Sequence, residues 1–311
     1  HYANVFPRAC DSQRVESGAG FIRRVTVRTI ALMDFIKWRK VFYAISGAFV
    51  LASFLALFIW GLPLGIDFTG GSLMELEFSG PVPSQQAMRD ALAGFQLGDM
   101  QIQQTGTRGA IVRMRDMDEE THQQILVALR GLDSNLSEKR FVSIGPTIGG
   151  ELKQKALWAL LLVLGMIIAY IAAAFRHVSR PISSWKYGVV AIAALIHDVA
   201  IPTGLFVYLG KFHGVEINAL FISALLTILG FSVHDTIVVF DRVRENLRKR
   251  TSPDFEEIVN ISIKETVVRS INTSLTLLFV LLTLFFFGGE STKYFSLALI
   301  VGTIVGVYSS V

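Results

Sequence analysis

The sequence holds a single cysteine, Cys10, among 311 residues, so no disulfide can close within it and no thiolate cluster can hold a metal. Charge is scarce as well. Asp, Glu, Lys and Arg make up 17% of the chain, against about 25% in an ordinary soluble domain. No glycine-rich phosphate loop, nucleophile triad or metal-ligand spacing is present. These absences leave no cofactor, no metal and no enzyme chemistry to assign, and no ATP site is visible. The formal net charge of +4 is too small and too dispersed to suggest nucleic-acid binding.

Apolar sequence is abundant. Hydrophobic residues make up 52% of the chain and mean hydropathy is +0.51. They come in six blocks, at residues 41–62, 152–175, 187–210, 218–240, 269–288 and 294–311. Each approaches the roughly 20 residues a helix needs to cross a bilayer. Buried helices of a large soluble protein are the rival reading, but core segments usually run shorter. Lys and Arg crowd the segment before the first block (Arg23, Arg24, Arg28, Lys37, Arg39, Lys40), the link after the second (Arg176, Arg180, Lys186) and the link after the fourth (Arg242 to Lys264). The opposing links carry only Lys211 and Lys293, with Lys153 and Lys155 as the exception. The bias predicts both termini in the cytoplasm. The first block lacks a small-residue cleavage site and reads as a retained anchor. Residues 1–33 form a cytoplasmic segment with no clear period, and the last block reaches the final residue as a truncated span would.

Residues 63–150 read as one soluble domain. "SLMELEFS" alternates as a half-buried strand does. "VPSQQAMRDALAGF" is a helix with Ala87, Ala91, Leu92 and Phe95 on one face. "MQIQQTG" and "GAIVRMR" are short strands, "DEETHQQILVALRGL" is a helix with an acidic first turn, and "EKRFVSIG" is a last strand. This order predicts a ferredoxin-like α+β domain outside the cytoplasm. His122 reads as a solvated helix residue.

Ionisable groups inside the apolar blocks need a reason, because a charge at mid-bilayer costs about 2.5–3.5 kcal/mol on insertion scales. Asp235 lies about 8 Å inside the Phe240 end of its block, at 1.5 Å per residue. It must be neutral there or paired with a cation. Arg269 offers that cation. With Asn272, Thr273, Thr276 and Thr283 it forms a stripe about 100° wide that should face other helices or a wet cavity. A structural salt bridge between two helices and a proton-controlled switch both fit this pattern. His197 and Asp198 occupy the third block, four residues ahead of Pro202, where a kink would favour a hydrated pocket. Neighbours in a helix point about 100° apart, so neither His197 with Asp198 nor His234 with Asp235 is expected to pair. Asp241, Arg242, Arg244 and Glu245 end the fourth span at the water boundary. In the cytoplasmic loop at about 241–268, residues 252–267 read as an amphipathic helix on the membrane surface. Gly302 and Gly306 have small-xxx-small spacing.

Several stretches resemble the SecF side of the bacterial SecD/SecF protein-export family, itself part of the resistance–nodulation–division superfamily. They are "GIDFTGGSLMELEF" (65–78), "IGPTIGGEL" (144–152), "ALIHDVAIPTGLF" (194–206), "GFSVHDTIVVFDRVRENLRK" (230–249) and "RSINTSLT" (269–276). The likeness runs from about Asp34 onward. It implies an accessory subunit of the Sec machinery in the bacterial inner membrane, with SecD, the SecYEG translocon, the translocating preprotein and the lipid bilayer as partners and no nucleic acid. It also implies drive by the proton-motive force, with Asp235 and Arg269 as the coupling residues. His197, Asp198, His234, Asn272 and Thr273 would line the path, and Gly65, Asp67, Phe68, Thr69, Gly70 and Gly71 would form the family motif. The expected architecture is therefore six transmembrane helices, with the soluble domain inserted between the first (41–62) and the rest (151–311). Half of a small-molecule or lipid exporter, or a translocon scaffold that uses no protons, are the rival functions.

Overall fold

The computed structural model describes residues 35–175, 184–249 and 252–310. The segment 1–33 and most of the basic link between the second and third spans lie outside the described residues. Six helices are long and apolar enough to cross a membrane: α1 (Arg39–Trp60), α5 (Pro146–Phe175), α6 (Ser184–His213), α7 (Ala219–Lys249), α8 (Phe255–Phe287) and α9 (Glu290–Ser310). Between α1 and α5 lie α2 (Ile66–Thr69), β1 (Gly71–Glu77), α3 (Gln85–Leu92), β2 (Gln101–Thr105), β3 (Gly109–Met114), α4 (Glu119–Arg130) and β4 (Ser137–Ile144).

The helices outrun the apolar blocks wherever a helix end finds protein to lean on. Helix α5 starts at Pro146, where a missing N–H costs nothing. Helix α7 continues past Phe240 to Lys249, and α8 is one unbroken helix from Phe255, capped by Asp254. Most of the expected loop at 241–268 is therefore helical, and the surface helix expected over 252–267 falls mainly in the first half of α8. The physical reason is that its apolar face is already covered. Val239 and Val243 of α7 pack on Ile263, with Leu247, Phe255 and Val259 around them. Polar contacts reinforce the pair: Arg242 Nε donates to Glu265 (2.6 Å), and Asn246 Nδ2 donates to Ser262 (3.0 Å) and Glu265 (2.8 Å). Arg242 thus ties two helices together as well as marking a boundary.

Helix α7 is the centre of the bundle. Helix α9 approaches it through its two glycines. A Cβ on Gly302 would lie 2.1 Å from Ile228, and one on Gly306 would lie 3.3 Å from Ser232. Helix α1 buries no residue fully and packs on α6, where Gly204 admits Ser53. Phe49, Phe54 and Phe58 of α1, Trp158 of α5, and Phe279, Phe286 and Phe287 of α8 are exposed. Such a surface suits hydrocarbon rather than water.

The small domain is an antiparallel sheet of order β2-β3-β1-β4. Met74, Leu76, Ala110 and Val112 line one face and meet Met88 and Leu92 of α3 and Ile125 and Leu129 of α4. The element order is the one read from the sequence, but the core face of α3 is turned by a residue. Met88 and Leu92 are buried, while Ala87 and Ala91 are only half-buried. Spacing alone does not separate 87–91 from 88–92. His122 corrects a second expectation, since it is buried rather than solvated. Its ring stacks on Phe141 with centroids 3.7 Å apart, and its nitrogens lie 3.1 Å from Glu119 and 2.7 Å from Glu138.

The domain leaves and rejoins the bundle at one crowded spot. Gly70 (φ +74°) has Pro146 where a Cβ would stand, at 2.7 Å, and a Cβ on Gly149 would meet the Gly70 nitrogen at 2.7 Å. Any side chain at either position would separate α2 from the start of α5.

Candidate functional site

The two buried aspartates of the bundle differ in what surrounds them. Asp198, on α6, has no exposed surface. It accepts from Ser309 Oγ of α9 (2.9 Å) and from Ser232 Oγ of α7, and His197 Nδ1 lies 2.9 Å from its other oxygen. His197 and Asp198 therefore do pair, against expectation. Their Cβ atoms diverge, but two torsions in each side chain bring the ends back together in a site enclosed by three helices. Among the described residues His197 Nε2 has no partner, and the ring stacks near Tyr308 with centroids 5.9 Å apart. Tyr308 O–H donates to the Phe42 carbonyl (2.8 Å), which extends the network to α1.

Asp235 lies three residues beyond Ser232 on the same helix and is 4% exposed. Among the described residues one carboxyl oxygen has no hydrogen-bond partner, and the other is 3.8 Å from His234 Nδ1, which is no better than a loose ionic contact. Ser270 of α8 is its other polar neighbour. Among the described residues Asp235 and Arg269 form no ion pair, although the Arg269 charge still acts on the carboxyl at longer range. The reason lies in helical phase: one step along α8 turns by about 100°, so Ser270 faces inward and Arg269 faces out. Arg269 lines an open groove of about 530 Å³ with Tyr170, Ile237, Arg242, Glu245 and Glu265.

The polar stripe faces out with Arg269. Asn272, Thr273, Thr276 and Thr283 are all exposed, as is His234 on α7. The threonine hydroxyls donate to carbonyls of their own helix, Thr273 to Arg269 (2.9 Å), Thr276 to Thr273 (2.7 Å) and Thr283 to Phe279 (2.9 Å). The side chains that approach Asp235 and Asp198 within the chain are thus largely hydroxyls that sequence reasoning missed, namely Ser232, Ser270 and Ser309. A small hydroxyl one helical turn from an intramembrane carboxyl was the available signal.

The glycine motif is a joint. Asp67 Oδ2 accepts from the Ala219 N–H at the start of α7 (2.7 Å). Phe68 is buried among Phe206, Val215, Ile217 and Phe221 at that end of the bundle. Thr69 Oγ1 donates to the Gly65 carbonyl (3.1 Å).

Comparisons with known proteins agree with this layout. A family profile described as "Protein export membrane protein SecD/SecF, C-terminal" matches residues 124–311, and the "SecD/SecF GG Motif" profile matches residues 55–82. The chain is 43% identical to the protein translocase subunit SecF of Thermobaculum terrenum over 292 residues, covering 90% of this chain and 91% of that one. It is 36% identical to the SecF subunit of Haemophilus influenzae, covering 90% and 83% of the two chains. The crystal structure of SecDF from Thermus thermophilus, a translocon-associated membrane protein, superposes with a TM-score of 0.78 at 34% identity. That match covers 90% of this chain but only 37% of the SecDF chain. With six membrane-length helices, the glycine joint and these relatives together, the chain belongs to the SecD/SecF family of protein-export membrane proteins.

Proposed function

We propose that the chain is an accessory subunit of the Sec export machinery, and that with a SecD partner it uses the proton gradient to move preproteins outward. One observation carries the reading: Asp235 is buried in an apolar span with an unpartnered carboxyl oxygen. A charge at mid-bilayer costs about 2.5–3.5 kcal/mol on insertion scales, so proton arrival there changes which helix arrangement is favoured. The outward face of Arg269, Asn272, Thr273 and Thr276 supports a partner lying against α7 and α8, since alone it would meet lipid. In that complex Arg269 acts across the interface with the partner, at long range from Asp235.

The small domain acts outside the cytoplasm and both termini lie inside, as the Lys and Arg bias supports. Its element and strand order support a ferredoxin-like fold. SecYEG and the emerging preprotein are the remaining partners, and the bacterial inner membrane is the setting. No enzymatic step is required, because the gradient supplies about 2.3 kcal/mol per charge per 100 mV. The test is preprotein export in vesicles holding the chain, SecD and the translocon, with and without an uncoupler. Asp235→Asn is expected to assemble normally and to lose the uncoupler-sensitive part of export. An assembled variant that responds to the gradient as the parent does overturns the reading.

A further inference from the structure

The link between α6 and α7, residues 214–218, is held by the small domain. The carbonyl of His213, the last residue of α6, accepts from Gln103 Nε2 of β2 (2.8 Å). Gln103 Oε1 in turn accepts from Arg113 Nη1 of β3 (3.0 Å). Arg113 Nε lies 2.9 Å from Glu216 in the link, an ionic contact more than a well-directed hydrogen bond. Ile217 N–H donates to Pro63 (2.7 Å), and the Ile217 carbonyl accepts from Gly65 N–H (2.9 Å). The first amide of α7, Ala219 N–H, donates to Asp67, which sets a carboxylate at the positive end of a long helix. Both faces of the small domain's attachment, motif and sheet, therefore grip one five-residue link.

That link joins the two helices that carry the buried aspartates. Helix α7 runs from its Asp67 contact to Asp235, about 24 Å at 1.5 Å per residue. No proline interrupts it on the way. Any displacement or rotation of α7 against α6 must therefore reach the link. By contrast, the turn between α8 and α9 closes on itself, through Gly288 N–H to Leu284 and Lys293 N–H to Gly289.

We propose that Asp67, Arg113 and Glu216 are positioning residues that lock the small domain to the α6–α7 link, so that a change at Asp235 is delivered to that domain through α7. This rests on Asp235 being the site of change, and the test separates the two ideas. The lock stays closed through the cycle and works as a fixed coupling.

The experiment uses the full chain assembled with SecD and the translocon. Arg113→Glu, Glu216→Arg and Asp67→Asn are each expected to lower uncoupler-sensitive export per assembled complex about five- to tenfold, the low end for coupling between distant sites. The exchange Arg113→Glu with Glu216→Arg recovers at least half of the loss seen in either single variant, since it rebuilds the charge pair while giving up the Arg113 donation to Gln103. A purely structural role would lower the amount of complex instead. The second measurement needs no gradient. In a Cys10→Ser background, spin labels on exposed sites of α4 (Arg130) and α1 (Phe58) report the distance between the domain and the bundle. Asp235→Asn shifts that distance when the lock is intact and does not shift it when Asp67→Asn is added. A shift without uncoupler-sensitive export in the parent would sink the proton reading and keep the lock. The proposal is overturned by an absent shift, by a shift that survives Asp67→Asn, or by a charge exchange that fails to rescue assembled complexes.

Discussion

Asp198 and Asp235 sit in neighbouring helices, each directly after a histidine, and each is almost wholly buried. Asp198 has donors from α7 and α9 and a histidine beside it. Asp235 has a loose histidine, Ser270 of α8 and, among the described residues, one oxygen with no partner. The same dipeptide thus serves opposite ends. Where neighbours satisfy the carboxyl, it pins helices together. Where they leave it short of partners, as at Asp235, it is the carboxyl on which the proposed proton coupling rests. Burial and residue type do not distinguish the two, and only the partner inventory does.

The largest test of this contrast is removal of each carboxylate. Asp198→Ala should destabilise the purified complex by about 3–5 kcal/mol, the cost of breaking a buried polar network by losing one member. Asp235→Asn should cost less, about 1 kcal/mol, because the nearly isosteric amide oxygen can keep the Ser270 contact. Thermal unfolding in detergent measures both, and equal losses would break the comparison. The next test crowds the two regions. Gly306→Leu pushes into Ser232 and Asp198 and should cost about 1–3 kcal/mol by overpacking. At Gly230, one turn and a half from Asp235, a Cβ meets open space, and Gly230→Ala should stabilise by up to about 1 kcal/mol through helix propensity. A smaller effect is expected from single hydroxyls. Ser309→Ala should lose about 1 kcal/mol, the usual net worth of one hydrogen bond, whereas Ser270→Ala should lose less and mainly change the export rate against pH.

The smallest effect sharpens the contrast from outside the membrane. In the small domain Asp133 is held below its ordinary range by the N–H groups of Ser79 and Asn135, and Asp118 by Thr121 at the start of α4. A carboxyl with a depressed folded pKa stabilises the fold above its unfolded value, near about 3.9. That contribution disappears as pH falls through the lower folded value. The melting temperature of the complex should therefore dip below about pH 4, and Asp133→Asn should reduce the dip. An unchanged dip would show that other groups govern it.

The six spans were legible because length and apolarity are properties of a segment by itself. The order of elements in the small domain was legible for the same reason. What failed depended on neighbours. Phe255, Ile258, Val259 and Ile263 make one apolar face whether lipid or α7 covers it, so the pattern could not show that the face belongs to a long helix pair. Arg269 and Asp235 lie at comparable depth, but one residue of helical phase decides that Ser270, not Arg269, turns inward. His122 is a different case. Its spacing to Ile125, Leu126 and Leu129 is that of a buried stripe, and the burial could have been read from the sequence.

The close approach of Gly70 to Pro146 and Gly149 has a consequence for how the chain can change over time. The small domain is an insert whose two ends meet, so its length does not set the separation of α1 and α5. Loop-closure entropy rises by only about 0.6 kcal/mol for each doubling of such an insert. A larger or altogether different head could be grafted between the same glycines, and the bundle would still fold, provided the newcomer offered a cation to Glu216 and left Asp67 in place.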